Sequence, residues 1–247
     1  RVTRVKAHDK SFPIVGIGAS AGGLEALEGF ISNIPDDANI AFVGIQHLAP
    51  KYKSIMPELL KKYTKMKIFV AADGMKIVPC CVYLNPPNRD VAIINGRLQL
   101  IEPVERHGAR LPIDFFFRSL SEDQGENAIC IILSGTGTDG TLGLRAIKGE
   151  GGITMVQEEK QAKYDGMPRS AIDTGLVDYI LPVEKMAEEL IKYVKHPYME
   201  GPKKILTAAE KFRDYVQKIF ILIRASTGHD FSGYKQNTIR RRIERRM

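Results

Sequence analysis

The chain has 247 residues, 44% of them hydrophobic and 26% charged, which is typical of a globular protein. No run approaches the roughly 18 consecutive apolar residues that a membrane span needs, and the polar N-terminus lacks the apolar segment of a secretory signal. The three cysteines form neither a disulfide framework nor a set with metal-ligand spacing. These features predict a cytoplasmic protein that is not inserted in a membrane, with reduced thiols and no bound metal.

The formal net charge of +7 is concentrated at the C-terminal end. Residues 203–247 hold 12 Lys and Arg against 4 Asp and Glu, a net of +8, whereas the other 202 residues hold 24 against 25, a net of −1. An acidic partner would therefore meet the C-terminal segment. Arg240-Arg-Arg-Ile-Glu-Arg-Arg246 lacks the aromatic interleaving of a nucleic-acid binder, so no nucleic acid is expected. A helix that docks on an acidic partner and a solvated helix face both remain open.

Strands and helices are predicted to alternate from residue 12 to about residue 195. The predicted strands lie at residues 12–18, 40–45, 68–70, 128–134 and 153–156, with a closing strand before the last helix. The predicted helices lie at residues 24–34, 55–65 and 112–124, after Gly140, at 168–174, and from the closing strand to about 195. Asn95-Gly96 between two β runs predicts a hairpin. The alternation predicts an α/β fold, namely a doubly wound, mostly parallel sheet with helices on both faces and a β-hairpin insertion.

The two ends of the chain are predicted to lie outside this α/β domain. Residues 1–11 are polar, without periodicity, and are interpreted as a linker or tail. Gly201-Pro202 follows the predicted domain, which spans residues 12–197. Beyond it, residues 205–224 and 235–247 show amphipathic helical patterns. Because the pattern still runs at the last residue, we expect residues 203–247 to be the truncated start of a helical domain.

Two motifs overlap in a glycine-rich turn after the first predicted strand. Gly16-Ile-Gly18-Ala-Ser20-Ala-Gly22 matches a permissive dinucleotide-binding pattern, Gly-x-Gly-x-x-Ala. The same residues match the nucleophile-elbow pattern Gly-x-Ser-x-Gly, in which small neighbours let Ser20 stand exposed on a tight strand-to-helix turn. Neither short match is specific by itself, and a glycine turn without any chemistry is a third interpretation.

The end of the second predicted strand discriminates between these motifs. A dinucleotide site usually has an Asp or Glu there to bind the ribose hydroxyls, but this strand ends in Gln46-His47. A histidine is the base that an elbow serine requires. Because the carboxyl ends of parallel strands share one edge of the sheet, Ser20 and His47 are predicted to be neighbours in space.

A third segment, Ile131-Ile-Leu-Ser-Gly135-Thr-Gly-Thr-Asp139-Gly140, leads from a buried strand through a glycine-rich loop to an acid at the same edge. Asp139 lies directly before a predicted helix, so it is also a candidate N-cap of that helix. An acid that orients His47 must instead reach across the loop. Ser20, His47 and Asp139 therefore form a candidate catalytic triad, since triads are defined by geometry and role rather than by chain order.

Four segments together resemble the signature segments of chemotaxis protein-glutamate methylesterases (CheB-type). They are Ile17-Gly-Ala-Ser20-Ala-Gly-Gly23, Gln46-His47-Leu-Ala-Pro50, Leu133-Ser-Gly-Thr-Gly-Thr-Asp139-Gly140 and Gly166-Met167-Pro168-Arg169-Ser-Ala171. The resemblance covers residues 12–196 and implies hydrolysis of glutamyl 5-methyl esters on chemoreceptor cytoplasmic helices, often with deamidation of receptor glutamines. It assigns the nucleophile, the base and the orienting acid to Ser20, His47 and Asp139, and it implies no cofactor for the esterase.

The C-terminal segment resembles the opening of a second enzyme. Phe212–Met247, with Thr227-Gly-His-Asp-Phe231 and Tyr234-Lys-Gln-Asn-Thr-Ile-Arg-Arg-Arg242, is similar to the N-terminal helical domain of CheR-type receptor methyltransferases. The resemblance implies an esterase–methyltransferase fusion in which only the later methyltransferase part uses S-adenosylmethionine. CheB-type proteins usually carry a phosphorylatable receiver domain before the esterase, where this sequence has eleven residues.

Further residues are predicted around the triad. The backbone amides of Ala21 and Gly22, at a helix N-terminus, are predicted to meet the oxyanion, and the loop at Thr136 and Gly137 is a second candidate. Met167 and Arg169 are candidates for shaping the ester pocket, with a core-filling Met and a surface Arg as the alternatives. A nucleotide-binding or non-catalytic α/β interaction module that uses the glycine turn remains the alternative function.

Overall fold

The computed structural model describes residues 12–47, 55–103 and 110–195, together with Ile219 and Ile223, which both lie in helix. The predicted N-terminal tail and almost all of the two predicted C-terminal helices lie outside the described residues. No helix within the described ranges is both long and apolar enough to cross a membrane.

Within residues 12–195, the described residues form nine strands and six α-helices. The strands are β1 (Ile14–Ala19), β2 (Ala41–Gln46), β3 (Lys67–Val70), β4 (Cys81–Leu84), β5 (Asp90–Ile94), β6 (Arg97–Ile101), β7 (Ile129–Ile132), β8 (Ile153–Gln157) and β9 (Tyr179–Leu181). The helices are α1 (Gly23–Ser32), α2 (Met56–Leu60), α3 (Pro112–Gln124), α4 (Thr141–Gly149), α5 (Gly166–Ile172) and α6 (Val183–Val194). The predicted alternation of strands and helices is confirmed.

Seven of these strands form one parallel sheet in the order β3-β4-β2-β1-β7-β8-β9. From β1 the chain adds β2, then β3 at the edge and β4 between β2 and β3, and it then returns to add β7, β8 and β9 on the other side of β1. This reversal next to β1 is a topological switch point, where the carboxyl ends of strands open a crevice in folds of this class. The doubly wound α/β architecture predicted from the sequence is therefore confirmed.

The two faces of the sheet are covered by different helices. Residues of α1, α2 and α6 share one buried apolar cluster with the sheet, and residues of α3, α4 and α5 share the other. A strand covered on both faces has no polar side, which explains the continuous apolar run of β7, whose four residues are all fully buried.

The hairpin predicted at Asn95-Gly96 forms a separate two-stranded antiparallel sheet from β5 and β6. Both turn residues have positive φ, 53° at Asn95 and 66° at Gly96, as a two-residue type I′ turn requires. The hairpin packs on α3, where Ser119 Oγ accepts the Ile93 N–H at 3.1 Å. The strand β4, which is adjacent in sequence, instead joins the main sheet between β2 and β3.

The helix predicted over residues 55–65 is shorter than expected, since α2 ends at Leu60. The carboxylate of Asp36 accepts hydrogen bonds from Thr64 Oγ1 at 3.1 Å and from the Lys65 N–H at 2.9 Å. These contacts hold the chain in a turn that leads into β3. The difference arises from a side chain about thirty positions away, which no local helical pattern reveals.

Two glycines of β1 allow α3 to lie directly against the sheet. A Cβ at Gly18 would lie 2.4 Å from Ile113 Cγ2, and one at Gly16 would lie 2.9 Å from Leu120 Cδ2. Any larger residue would force this helix away from the strand. The N-terminus of α3 is thereby placed at the carboxyl end of β1, beside the predicted site.

Candidate active site

The three predicted triad residues lie at the carboxyl ends of three adjacent strands. Ser20 directly follows β1, His47 directly follows β2, and Asp139 lies in the loop between β7 and α4. Because the sheet order places β1 between β2 and β7, the three side chains meet at the switch point. Sequence distance is no obstacle, although 92 positions separate His47 from Asp139.

The three side chains form a continuous hydrogen-bonded chain. Ser20 Oγ lies 3.1 Å from His47 Nδ1, and His47 Nε2 lies 2.9 Å from Asp139 Oδ2. A carboxylate only accepts, so Nε2 carries the proton that it donates to Asp139, and Nδ1 is left to accept from the serine hydroxyl. The two ring nitrogens thus have the opposite assignment to that in the serine-protease triad, where Nε2 faces the serine.

Asp139 is held by more than its contact with His47. Oδ2 also accepts the Ile113 N–H at 3.0 Å, and Oδ1 accepts the N–H groups of Asp114 and Gly140, each at 2.9 Å. A carboxylate has about four acceptor directions, and all four are used here. With 2% of its side chain exposed, this acid is locked in one orientation.

These contacts correct the alternative reading of Asp139 as a cap of the helix that follows it. The N-cap position of α4 is Gly140, with φ 95°, and it makes no side-chain capping bond. Asp139 instead caps α3, a helix that precedes it in the chain, through the N–H groups of Ile113 and Asp114. One carboxylate therefore caps α3 and also hydrogen-bonds to the imidazole of His47.

A second buried acid lies against Asp139. Asp114 is 2% exposed, and its Oδ1 accepts the Gly143 N–H of α4 at 2.7 Å. Burial, together with the nearby charge of Asp139, raises the pKa of Asp114 from 3.8 to about 6. Arg118 and the hydrogen bonds from α4 act in the opposite direction and do not cancel this effect.

The backbone around Ser20 is fixed by the loop after β7. The Ser20 N–H donates to Ser134 O at 3.0 Å, and the Gly23 N–H donates to Ser20 O at 2.9 Å. The positive φ in this turn belongs to Gly22, at 69°, and not to the serine. No described residue accepts a hydrogen bond from the amides of Ala21 or Gly22, so both are available at the N-terminus of α1.

Ser134 supports this turn, although sequence reasoning missed it. Its hydroxyl donates to Ala21 O at 2.9 Å and accepts the Tyr164 N–H at 3.0 Å. The C=O and N–H of a trans peptide point in opposite directions, so fixing Ala21 O aims the Gly22 N–H away from Ser134. Ser134 in turn is held by buried Gln157, whose Oε1 accepts the Ser134 N–H at 2.8 Å.

The other predicted pocket residues are placed unequally. Thr136 and Gly137 are exposed in the loop between β7 and α4, which lies next to Ser20 and to the start of α5. Met167 is fully buried behind Gly135, where a Cβ would lie 2.2 Å from its Sδ and 2.9 Å from Ser20 Cβ. The Arg169 guanidinium pairs with two acids outside the triad, Glu159 and Asp165. The structure therefore places Met167 in the core beneath the loop and Arg169 in a surface ion-pair network.

The structure argues against a dinucleotide site at the glycine turn. Gly16 and Gly18 are explained by the close approach of α3, and β2 ends in Gln46 and His47 rather than in an acid. No cluster of three or more His, Cys, Asp or Glu side chains within the described ranges is arranged to hold a metal ion. The fold and the site thus define a doubly wound α/β protein with a Ser-His-Asp constellation at the switch point of its parallel sheet.

Comparison with known proteins gives the family. A model described as CheB methylesterase matches residues 15–190, and one described as the CheR methyltransferase all-alpha domain matches residues 214–247. The crystal structure of the Thermotoga maritima CheB methylesterase catalytic domain aligns with a TM-score of 0.70 and 30% identity, over 74% of this chain and 99% of that one. The chain belongs to the CheB methylesterase family.

Two curated relatives extend this comparison. Protein-glutamate methylesterase/protein-glutamine glutaminase 1 of Xanthomonas campestris pv. campestris is 36% identical over 184 residues, 72% of this chain and 51% of that protein. An uncharacterised 104.1 kDa protein of Rhodobacter capsulatus is 32% identical over 212 residues, 78% of this chain and 22% of that protein. The chain thus spans about half the length of the first relative and about a fifth of the length of the second.

Proposed function

We propose that this chain is a protein-glutamate methylesterase that hydrolyses glutamyl 5-methyl esters on chemoreceptor cytoplasmic helices. The observation that carries the proposal is the hydrogen-bonded chain from Ser20 through His47 to Asp139 at the switch point of the sheet. Deamidation of receptor glutamines is the same chemistry with ammonia in place of methanol, and the Xanthomonas relative is named for both reactions.

In the first half of the reaction, Ser20 Oγ attacks the ester carbonyl carbon while His47 Nδ1 takes the hydroxyl proton. The imidazolium that forms is stabilised by Asp139 through the Nε2–H bond of 2.9 Å. The tetrahedral intermediate then collapses, the bond to the methoxy oxygen breaks, and Nδ1 returns the proton to the departing methanol. A water molecule attacks the acyl-enzyme in the second half, which releases the glutamate side chain and restores the Ser20 hydroxyl.

The negative charge of the intermediate is proposed to meet the amides of Ala21 and Gly22. Both are unpaired among the described residues and lie at the N-terminus of α1, where the helix dipole favours an anion. Removing one such donor typically lowers the rate about 100- to 1000-fold. The backbone amides of the exposed residues Thr136 and Gly137 are the second candidate. Met167 and Arg169 are proposed only to support the loop beside them.

The wider assignment follows from the same family. Every group used in the proposed esterase reaction is supplied by the chain, so no cofactor is required, and S-adenosylmethionine would serve only a methyltransferase domain that follows the CheR-like residues 214–247. We place residues 12–197 in the esterase domain and residues 203–247 in the start of the methyltransferase domain. The proposed site of action is the cytoplasm, where the receptor helices lie.

A serine-directed fluorophosphonate followed by peptide mapping tests this assignment. We expect the label on Ser20 and on no other serine, and we expect Ser20→Ala to lose methanol release from a small glutamyl methyl ester. Ser32→Ala is the matched control, because Ser32 is an exposed serine at the end of α1 whose hydroxyl bonds only to its neighbours in the chain, Gly29 O and Asn33 Nδ2. An adduct on another serine, with Ser20→Ala still active, would overturn the proposal.

A further inference from the structure

The imidazole of His47 hydrogen-bonds to both Ser20 and Asp139, and its direction depends on the backbone just after β2. His47 follows the last residue of β2, Gln46, so the peptide between these two residues sets the direction of the ring. On one side of β2 the pairing with β1 continues as far as Gln46, opposite Ala19. On the other side the pairing with β4 stops two residues earlier, at Gly44 opposite Leu84.

The reason for the early stop lies in the sequence after β4, which reads Asn85-Pro86-Pro87. The last backbone bond between these strands runs from the Asn85 N–H to Gly44 O at 3.1 Å. In a parallel ladder the next two bonds would run from the Gln46 N–H to Asn85 O and from the N–H of residue 87 to Gln46 O. Residue 87 is a proline and has no N–H, so the ladder cannot continue.

The side chain of Asn85 replaces both missing bonds. Its Oδ1 accepts the Gln46 N–H at 2.9 Å, and its Nδ2 donates to Gln46 O, also at 2.9 Å. The side-chain amide of Asn85 thus offers Gln46 one acceptor and one donor in place of the next two backbone hydrogen bonds of the ladder. Asn85 is 6% exposed, so water does not compete effectively for either bond.

We infer that Asn85 is a positioning residue for His47. Gln46 O belongs to the same peptide plane as the His47 N–H, so the bond from Asn85 Nδ2 fixes the rotation of that plane and hence the direction of the His47 side chain. The hydrogen bonds of Asn85 go to the backbone of Gln46 and Gly44 and not to Ser20 or Asp139, so it acts through the backbone. The inference rests on the proposed role of His47 as the base.

The experiment compares Asn85→Ala with Asn33→Ala, a matched control. Asn33 also donates from Nδ2 to a backbone carbonyl, Gly29 O at 2.7 Å, but it lies at the opposite end of the sheet, after α1. For Asn85→Ala we expect kcat on a small glutamyl methyl ester to fall about 10- to 100-fold with KM nearly unchanged, because misplacing a catalytic group by about 1 Å has that effect. Asn33→Ala is expected to keep the parental kcat.

A second readout follows the ring itself. The hydrogen-bonded Nε2–H of His47 is expected to give a downfield proton resonance in the parent and in Asn33→Ala, and this resonance is expected to broaden or vanish in Asn85→Ala. If Asn85→Ala does not fold, kcat and the His47 resonance are measured on Asn85→Asp, and the same changes are expected. Asn85→Asp keeps the side-chain volume and the acceptor for the Gln46 N–H but turns an oxygen toward Gln46 O.

The outcomes separate the inference from the proposed function. Asn85 variants with the kcat and the downfield resonance of Asn33→Ala, beside an inactive Ser20→Ala, overturn the positioning role. An active Ser20→Ala overturns the proposed function instead, and the resonance of His47 then still reports whether Asn85 holds the ring.

Discussion

Asp139 carries two tasks that a sequence pattern presents as alternatives. It accepts one hydrogen bond from His47 and three from backbone N–H groups, two of which belong to the first turn of α3. Each carboxylate oxygen therefore faces two donors. The consequence is that no isosteric group with a donor of its own fits this position without conflict.

We expect Asp139→Asn to lower kcat at least about 100-fold, equivalent to about 2.7 kcal/mol at the transition state. Whichever way the amide turns, its NH₂ meets two N–H donors, either from His47 and Ile113 or from Asp114 and Gly140. A buried donor without an acceptor costs about 1–3 kcal/mol, so the melting temperature should fall as well. Steady-state kinetics and a thermal melt of the same preparation measure both effects.

Asp37→Asn is the control for this substitution, because Asp37 is an exposed acid in the turn after α1, at the other end of the sheet. It should match the parent in both measurements. A parental kcat for Asp139→Asn would show that this residue is a cap of α3 only and would leave a Ser20–His47 dyad. A large loss of kcat without any loss of stability would contradict the doubled-donor argument.

At the scale of elements, two buried acids connect the N-terminal turns of α3 and α4. Asp139, just before α4, binds the first-turn amides of α3, and Asp114, in the first turn of α3, binds the Gly143 N–H of α4. The helices approach closely at this point, since a Cβ at Gly143 would lie 2.5 Å from Phe117 Cβ. Two N-termini favour negative charge, but two buried carboxylates side by side repel each other.

This arrangement predicts a pH-dependent effect of Asp114→Asn on stability. The pKa of Asp114 is about 6 in the folded chain against an ordinary 3.8, so its contribution to stability is fully present below pH 3.8 and is lost as the pH rises through 6. The loss amounts to about 3 kcal/mol at most, at 1.36 kcal/mol per pKa unit. The asparagine variant has no such titration, and its amide oxygen still accepts the Gly143 N–H.

As the pH rises from 4 to 8, the unfolding free energy of Asp114→Asn should therefore increase by about 1–3 kcal/mol relative to that of the parent. Urea unfolding of both proteins at several pH values measures this difference. A difference that stays constant across the range would show that Asp114 does not titrate between 4 and 6. A higher unfolding free energy of the parent than of Asp114→Asn at high pH would show that the ionised Asp114 stabilises the fold.

At the scale of the whole molecule, charge and catalytic candidates are separated along the chain. The three triad residues lie between positions 20 and 139, and both apolar clusters are built from residues 12–194. The net charge of +8 belongs to residues 203–247, which include the CheR-like match at 214–247. We therefore expect the proposed esterase reaction to use no group of the basic segment.

We expect a chain that ends at Pro202 to keep its melting temperature and to hydrolyse a small glutamyl methyl ester within about 2-fold of the parental rate. The physical reason is that both apolar clusters, which supply most of the folding free energy, are intact. Methanol release and a thermal melt provide the comparison with the full 247 residues. A folded but inactive shortened chain would show that the basic segment completes the site.

The sequence by itself determined features that depend on local pattern. Buried parallel strands appear as apolar runs, and a two-residue Asn95-Gly96 turn requires positive φ that few other pairs adopt, so the sheet and the hairpin were both predictable. Ser20, His47 and Asp139 were predictable as a set because each follows a strand and carboxyl ends of parallel strands share an edge. Their catalytic roles remain a proposal.

The tertiary structure alone decided which groups from distant segments meet. Asp139 caps α3 rather than α4, Asp36 ends α2 early, and Asn85 completes the ladder that Pro87 interrupts. Each is a hydrogen bond across more than twenty positions, and its partner is chosen by the sheet order and not by neighbouring residues. A one-dimensional pattern records the donors and acceptors of a segment, but the folded chain determines which of them are buried together and must pair.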